Sequence, residues 1–175
     1  MTTARRKVAA FLALVAASGV CGCALTDSAQ LEKDLVAELT YRVESVTDGI
    51  ELVREDVIAD PEDVIAGSDV IGDARSLSGG SEATWPVEPS ALLAMGRTAE
   101  TVRLTMTTTA RVEGGGGLSY EALSGRVCFT IEVRADSPVE LLPSDCRGDD
   151  GRIPDHIAES EETIVPLSEL ELTRS

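Results

Sequence analysis

The sequence predicts an α+β fold, with one long N-terminal amphipathic helix packed on a small antiparallel β-sheet of about four strands. Three observations carry that expectation. Apolar residues recur at helical spacing from about Asp27 to Asp60. Apolar and polar residues alternate one by one through Thr101–Val112 and again through Val127–Val133. Two cysteines, Cys128 and Cys146, flank the last of the expected hairpins.

The helix comes first. Asp27, followed three residues later by Gln30, resembles a capping arrangement, and Asp60-Pro61 supplies a stop because a residue before proline disfavours helical angles. Between them Leu39, Val43, Val46, Ile50, Val53 and Val57 alternate steps of four and three, and Leu31, Leu35, Val36 and Ile58 broaden the stripe. The opposite face is charged, and Glu38 and Arg42 are spaced for a weak surface pair. Gly49 weakens the middle by roughly 1 kcal/mol relative to alanine. The stripe has two readings. It packs on this chain's own sheet, which its breadth favours, or it forms a coiled-coil seam for a homodimer or a partner helix.

Residues 61–100 read as an irregular connection. Ser76 to Ser81 is small, polar and glycine-rich, Trp85 brings a large apolar surface back to the core, and Ala91 to Met95 makes a short helical turn. Residues 101–146 hold the antiparallel sheet. Val102, Leu104, Met106, Thr108, Ala110 and Val112 share one face of a strand, and Gly114 to Gly117 breaks regular structure. Leu118 to Ala122 and Val127 to Val133 resume it, and Val139 to Leu142 returns alongside the latter. A turn near Ser137 sets residues whose numbers sum to about 274 opposite one another, and Cys128 and Cys146 satisfy that sum. In an oxidising setting they form a disulfide worth about 3 kcal/mol; two free thiols, or a metal pair with distant His156, are the alternatives. The acidic tail, 147–175, adds an edge strand, a frayed helix or no fixed structure.

The first residues carry a different signal. Arg5, Arg6 and Lys7 precede an apolar run, Val8 to Ala17, and then small residues, the layout of an export signal. The stretch that closes it, Ser18-Gly19-Val20-Cys21-Gly22-Cys23-Ala24, resembles the lipobox of bacterial prolipoproteins, an aliphatic residue, a small one, Gly or Ala, then cysteine. Val20 and Gly22 fit that pattern for Cys23, while Cys21 stands where Ala or Ser is usual. The resemblance covers only the N-terminal seventh of the chain. It implies a signal peptide over 1–22, a diacylglyceryl thioether on Cys23 and lipid anchoring at the outer face of the cell membrane. Acylation of Cys21 fits less well. An ordinary secretory peptide, releasing a soluble protein, and an uncleaved span from Val8 to Leu25 are the competing readings.

Cleavage after residue 22 of 175 leaves 153, the length of one domain, 23–175. It also removes three of the 15 basic residues, so 12 face 31 acidic ones and the net charge becomes −19. Such a surface repels nucleic acid and anionic headgroups, which leaves membrane residence to the acyl chains. Individual charges carry reduced weight, because the chain has no asparagine and only Lys7 and Lys33 as lysines, the mark of a compositional bias.

Catalytic chemistry is sought in vain. His156 is the sole histidine, no serine sits in a nucleophile elbow, and Gly114 to Gly117 lacks the Lys-Ser or Lys-Thr of a phosphate loop. Asp145, Asp149 and Asp150 beside Gly148 and Gly151 miss the EF-hand spacing and suit a solvated turn better than a calcium loop. No cofactor is expected. The helix-on-sheet outline with a pinned C-terminal region is similar to pilin-like folds, in architecture only. The sequence therefore points to a non-enzymatic lipoprotein serving as a protein-interaction or accessory module; a small-ligand-binding envelope module comes second and an enzyme third.

Overall fold

The computed structural model describes residues 28–69, 71–75, 90–116, 119–158 and 160–173. The signal segment, Cys21, Cys23, Asp27 and Trp85 lie outside them, as does the side chain of His156.

Helix α1 (Ser28–Leu52) buries Leu31, Leu35, Leu39, Val43, Val46 and Ile50 in steps of four and three. Two threonines share the buried stripe, and each hydroxyl is satisfied by the carbonyl four residues back: Thr40 donates to Val36 at 2.8 Å and Thr47 to Val43 at 2.7 Å. Gln30 donates to Asp34 rather than reaching back to cap the helix.

The expected single helix over 27–60 is corrected. It breaks at Val53, and two short helices follow, α2 (Arg54–Ala59) and α3 (Pro61–Ala66). The break is held from a distance: Arg54 donates to the carbonyl of Ser137, and Glu51 accepts the N–H of Val139. Val53 therefore leaves the stripe for the surface and Leu52 is 86% exposed, whereas Val57 and Ile65 are buried again. Asp60 acts on both sides, ending α2 and capping α3 through the N–H of Asp63, with Pro61 at the first helical position.

The sheet is also corrected. It is mixed and six-stranded, not a set of about four antiparallel strands. Its path is β1 (Ile71–Asp73), β2 (Ser90–Arg97), β3 (Thr101–Gly116), β4 (Ser119–Arg134) and β5 (Glu140–Pro143), while β6 (Thr163–Ile164) shares with β5 the edge of β4 away from β3. β1 runs parallel to β2 and β6 parallel to β4; the other pairs are antiparallel. Four differences account for this, the first being that the expected irregular connection over 61–100 contains β1, paired with β2. Ala91 to Met95 is strand, not helical turn, because Ala91, Leu92 and Leu93 are buried between layers on both faces of the sheet, where a continuous apolar run suits a central strand. Gly114 to Gly116 does not break β3, which pairs with β4 without interruption from Thr101–Arg134 to Gly116–Ser119. The tail supplies β6.

The long helix α1, with α2 and α3, covers one face, and a single helical turn of the tail, Asp155–Ala158, brings Ile157 to the other. On the α1 face Leu92, Val102, Leu104, Met106, Val127, Phe129, Ile131 and Val133 meet the α1 stripe, Val57 and Ile65. At one crossing a side chain on the strand is not tolerated: a Cβ on Gly125 would lie 2.8 Å from Leu35 Cδ2. Gly125→Ala is expected to cost about 1–3 kcal/mol by overpacking. Combining it with Leu35→Ala in a denaturation cycle should show the two costs to be non-additive, whereas additive costs would remove the contact as the cause.

The other face has a smaller apolar cluster of Ala74, Ala91, Leu93, Cys128, Cys146 and Ile157. Leu93 shares that face with Ala91 by strand alternation, and the register of β2 shifts at this residue, between Leu92 and Ala94. Just past this shift Asp149 accepts the N–H of Met95 at 2.9 Å, tying the tail to β2.

Candidate interaction groove

Cys128 and Cys146 form a disulfide, with Cα atoms 5.1 Å apart. β4 and β5 pair with a residue sum of 272, as in Phe129–Pro143, so Cys146 lies beyond the ladder and turns back through a left-handed φ of 60° to reach Cys128. Asp145 faces Arg147 across 3.8 Å, Asp150 accepts the N–H of Arg152, and Asp149 is engaged by Met95. Among the described residues no group of three or more His, Cys, Asp or Glu side chains is arranged to hold a metal ion.

The stripe residues that sequence periodicity singled out are placed differently from a binding seam. Leu39, Val43, Val46, Ile50 and Val57 are buried against this chain's own sheet, and Val53 stands apart at the helix break. That face is already occupied, so a partner must meet another surface.

Charged side chains on the far face of the sheet are also committed. Glu132 is 2% exposed and pairs with Arg103 at 2.6 Å and with Arg134. The hydrogen bond from Arg103 and the charges of both arginines hold its carboxyl below the ordinary glutamate value, against the opposing effect of desolvation. A folded-state pKa lowered from 4.5 contributes stability that is present above that value and lost as pH falls through the folded one. Wild type should therefore be more stable than Glu132→Gln near neutrality, and thermal unfolding should show the gap closing in acid; a gap unchanged by acid would contradict the assignment. Arg126, nearly buried, donates to Glu162 at 2.8 Å and to the Thr107 hydroxyl at 3.1 Å. Arg75 bridges Glu62 of α3 and Asp73 of β1, and its hydrogen bonds pull both carboxyls below their ordinary values. The hollow of about 320 Å³ that Arg75 lines with Asp149 and Arg152 thus has the Arg75 guanidinium and the Asp149 carboxylate already engaged.

Two larger grooves are present among the described residues: one of about 920 Å³ between Thr47, Pro138, Leu141 and Leu172, and one of about 890 Å³, richer in carboxylates and carrying an exposed aromatic residue, open to solvent along α1 from Ala29 to Glu44. In the latter the helix is one wall. The tail is the other, and it is firmly placed: β6 pairs with Gly125 and Arg126, Glu162 meets Arg126, Val165 and Leu170 are buried, and Glu44 accepts the N–H of Thr173. Val36, Leu123 and Val165 give the floor apolar character, and Tyr41 stands over it 68% exposed. The rim carries Glu32, Asp34, Glu44, Glu169 and Glu171 against the one cation, Lys33. Five of the groove's fifteen lining residues are thus carboxylates, compared with 31 acidic residues in 175, so the charge is concentrated here beyond the chain's general acidity.

Periodicity could not reveal this site, because its two walls lie more than a hundred residues apart. The available signal was Tyr41, an aromatic residue on a helix face otherwise occupied by charge. Among the described residues no helix is long and apolar enough to cross a membrane.

No family model, curated protein or solved structure matches this chain. The outline likened to pilins rests on the helix-on-sheet arrangement alone.

Proposed function

We propose that this chain is an exported lipoprotein, held at the outer face of the cell membrane through acylated Cys23, whose single domain is a non-enzymatic module for binding another protein. The open groove beside α1 carries this reading, since it exposes an aromatic side chain, Tyr41, above partly buried Val36 and Leu123 that the described residues do not fully cover. A small-ligand site would enclose its occupant, whereas this one is open along its length. The nearly buried charges Arg126 and Glu132 are closed in ion pairs on the sheet. The Cys128–Cys146 disulfide suits an oxidising compartment.

Ser28, the first described residue of α1, is five positions after Cys23, so the two lie at most ~17 Å apart. The groove begins at that same end of α1 and would face a partner close to the bilayer.

Expression of the full chain followed by membrane fractionation and mass spectrometry tests the anchor. Wild type should partition with membranes and carry a diacylglyceryl group on Cys23, and Cys23→Ser should move to the aqueous fraction. An unmodified wild type, or a Cys23→Ser chain that partitions like its parent, would replace anchoring with simple secretion.

A further inference from the structure

The geometry points to the groove between α1 and the tail as a docking site for an extended, basic segment of a partner protein that carries apolar side chains between its cations. This rests on the protein-binding reading above and names the partner's chemistry.

Shape comes first. From Ala29 to Glu44 the helix wall spans sixteen residues, about 22 Å for the fifteen rises of 1.5 Å between them. An extended strand rising about 3.3 Å per residue covers that length in roughly seven residues. Such a strand alternates its side chains between opposite sides, which suits a trough with an apolar floor and a charged rim. Alternate residues would sit on Val36, Leu123 and Val165 beneath Tyr41, while the intervening ones face the rim.

Charge then selects the partner. Glu32 on the helix wall and Glu169 and Glu171 on the tail wall set carboxylates on both sides of the trough, with Lys33 as the opposing charge. An acidic segment, a nucleic acid or an anionic headgroup is repelled, and a purely apolar segment leaves the rim uncompensated. Arginine suits the rim because its planar guanidinium can engage a carboxylate with two parallel N–H donors. Tyr41 is the natural anchor, since exposed aromatics at the centre of an apolar patch dominate binding energy.

The test uses the full-length chain in phosphatidylcholine nanodiscs, with empty nanodiscs as the blank. The probes are fluorescein-labelled octapeptides of alternating Arg and Val, alternating Arg and Ser, and alternating Glu and Val, read by fluorescence anisotropy. The Arg–Val peptide should bind best, with Arg–Ser weaker by about tenfold and Glu–Val not bound. Tyr41→Ala, and separately Glu32→Gln combined with Glu171→Gln, should each weaken Arg–Val binding by about tenfold. Higher salt should weaken it as well. Tyr120→Ala serves as a surface control, being exposed near the tip of the β3–β4 hairpin and outside the groove lining, and should leave binding unchanged.

Equal binding of Arg–Val and Glu–Val, lost in Tyr41→Ala, would overturn the basic preference and leave the protein-binding reading standing. Binding insensitive to the groove variants, binding no stronger than to empty nanodiscs, or a stable dimer cross-linked through Tyr41→Cys would overturn the groove as this docking site.

Discussion

Leu39→Ala should destabilise the folded domain by about 3–5 kcal/mol, at the upper end of buried leucine truncations. Leu39 is fully buried in the middle of the α1 stripe, where the main core of β3 and β4 side chains meets the helix. Removing its isobutyl end takes away the transfer free energy of the lost methyl and methylene groups and leaves a cavity that α1 cannot close, because Arg42 ties the helix to the sheet through the Thr109 carbonyl at 2.9 Å. A loss of this size shifts the melting temperature of a domain of about 150 residues by roughly 10 °C or more. Denaturant titration at two protein concentrations checks both magnitude and origin. A large loss with a midpoint independent of concentration places the stripe in the monomer's own core. A small loss, or a midpoint that moves with concentration, would return it to an intermolecular seam.

Opening the Cys128–Cys146 bridge should cost about 3 kcal/mol, the loop-closure entropy released to the unfolded chain for a separation of 18 residues. Local packing adds to the expectation. Both cysteines belong to the small buried apolar cluster on the side of the sheet away from α1, and Cys146 is held in a left-handed backbone conformation that the bridge helps to maintain. Downstream of it the chain must still bring Asp149 to Met95, Ile157 to the cluster and Glu162 to Arg126. Reduction by dithiothreitol and the double substitution Cys128→Ala with Cys146→Ala should lower the denaturation midpoint by similar amounts. Amide hydrogen exchange should rise first beyond Cys146. Unchanged protection of the tail after reduction would mean that β6 and the Arg126–Glu162 pair hold it without the bridge.

Together these expectations bear on the groove. Its helix wall is as firm as the stripe beneath it, and its tail wall is held by β6, the Arg126–Glu162 pair, buried Val165 and Leu170, and the Glu44–Thr173 bond. A binding loss on reduction, with the helix core intact, would mark the tail as the weaker wall.

The sequence by itself determined what short-range periodicity and covalent spacing can encode. The apolar face of α1 was legible because Leu31 to Ile50 repeat at helical steps whatever lies opposite, and the Thr101–Val112 strand because period-two alternation admits one reading. The cysteine pair was legible because a turn near Ser137 fixes which residues can meet, although the true register of 272 showed that Cys146 needs an unusual backbone angle to do so. Tertiary structure decided the rest. Val53 continues the helical pattern, yet the helix stops there because Ser137 and Val139 bind Arg54 and Glu51 from more than eighty residues away. Ala91 to Met95 combines residues that favour helices, and burial between two apolar layers made it a strand. The groove belongs wholly to this second class: Tyr41 and Glu32 become one wall of a site only when Arg126, β4 and Glu44 hold the tail against them, and no local pattern of residues specifies a contact made across so much chain.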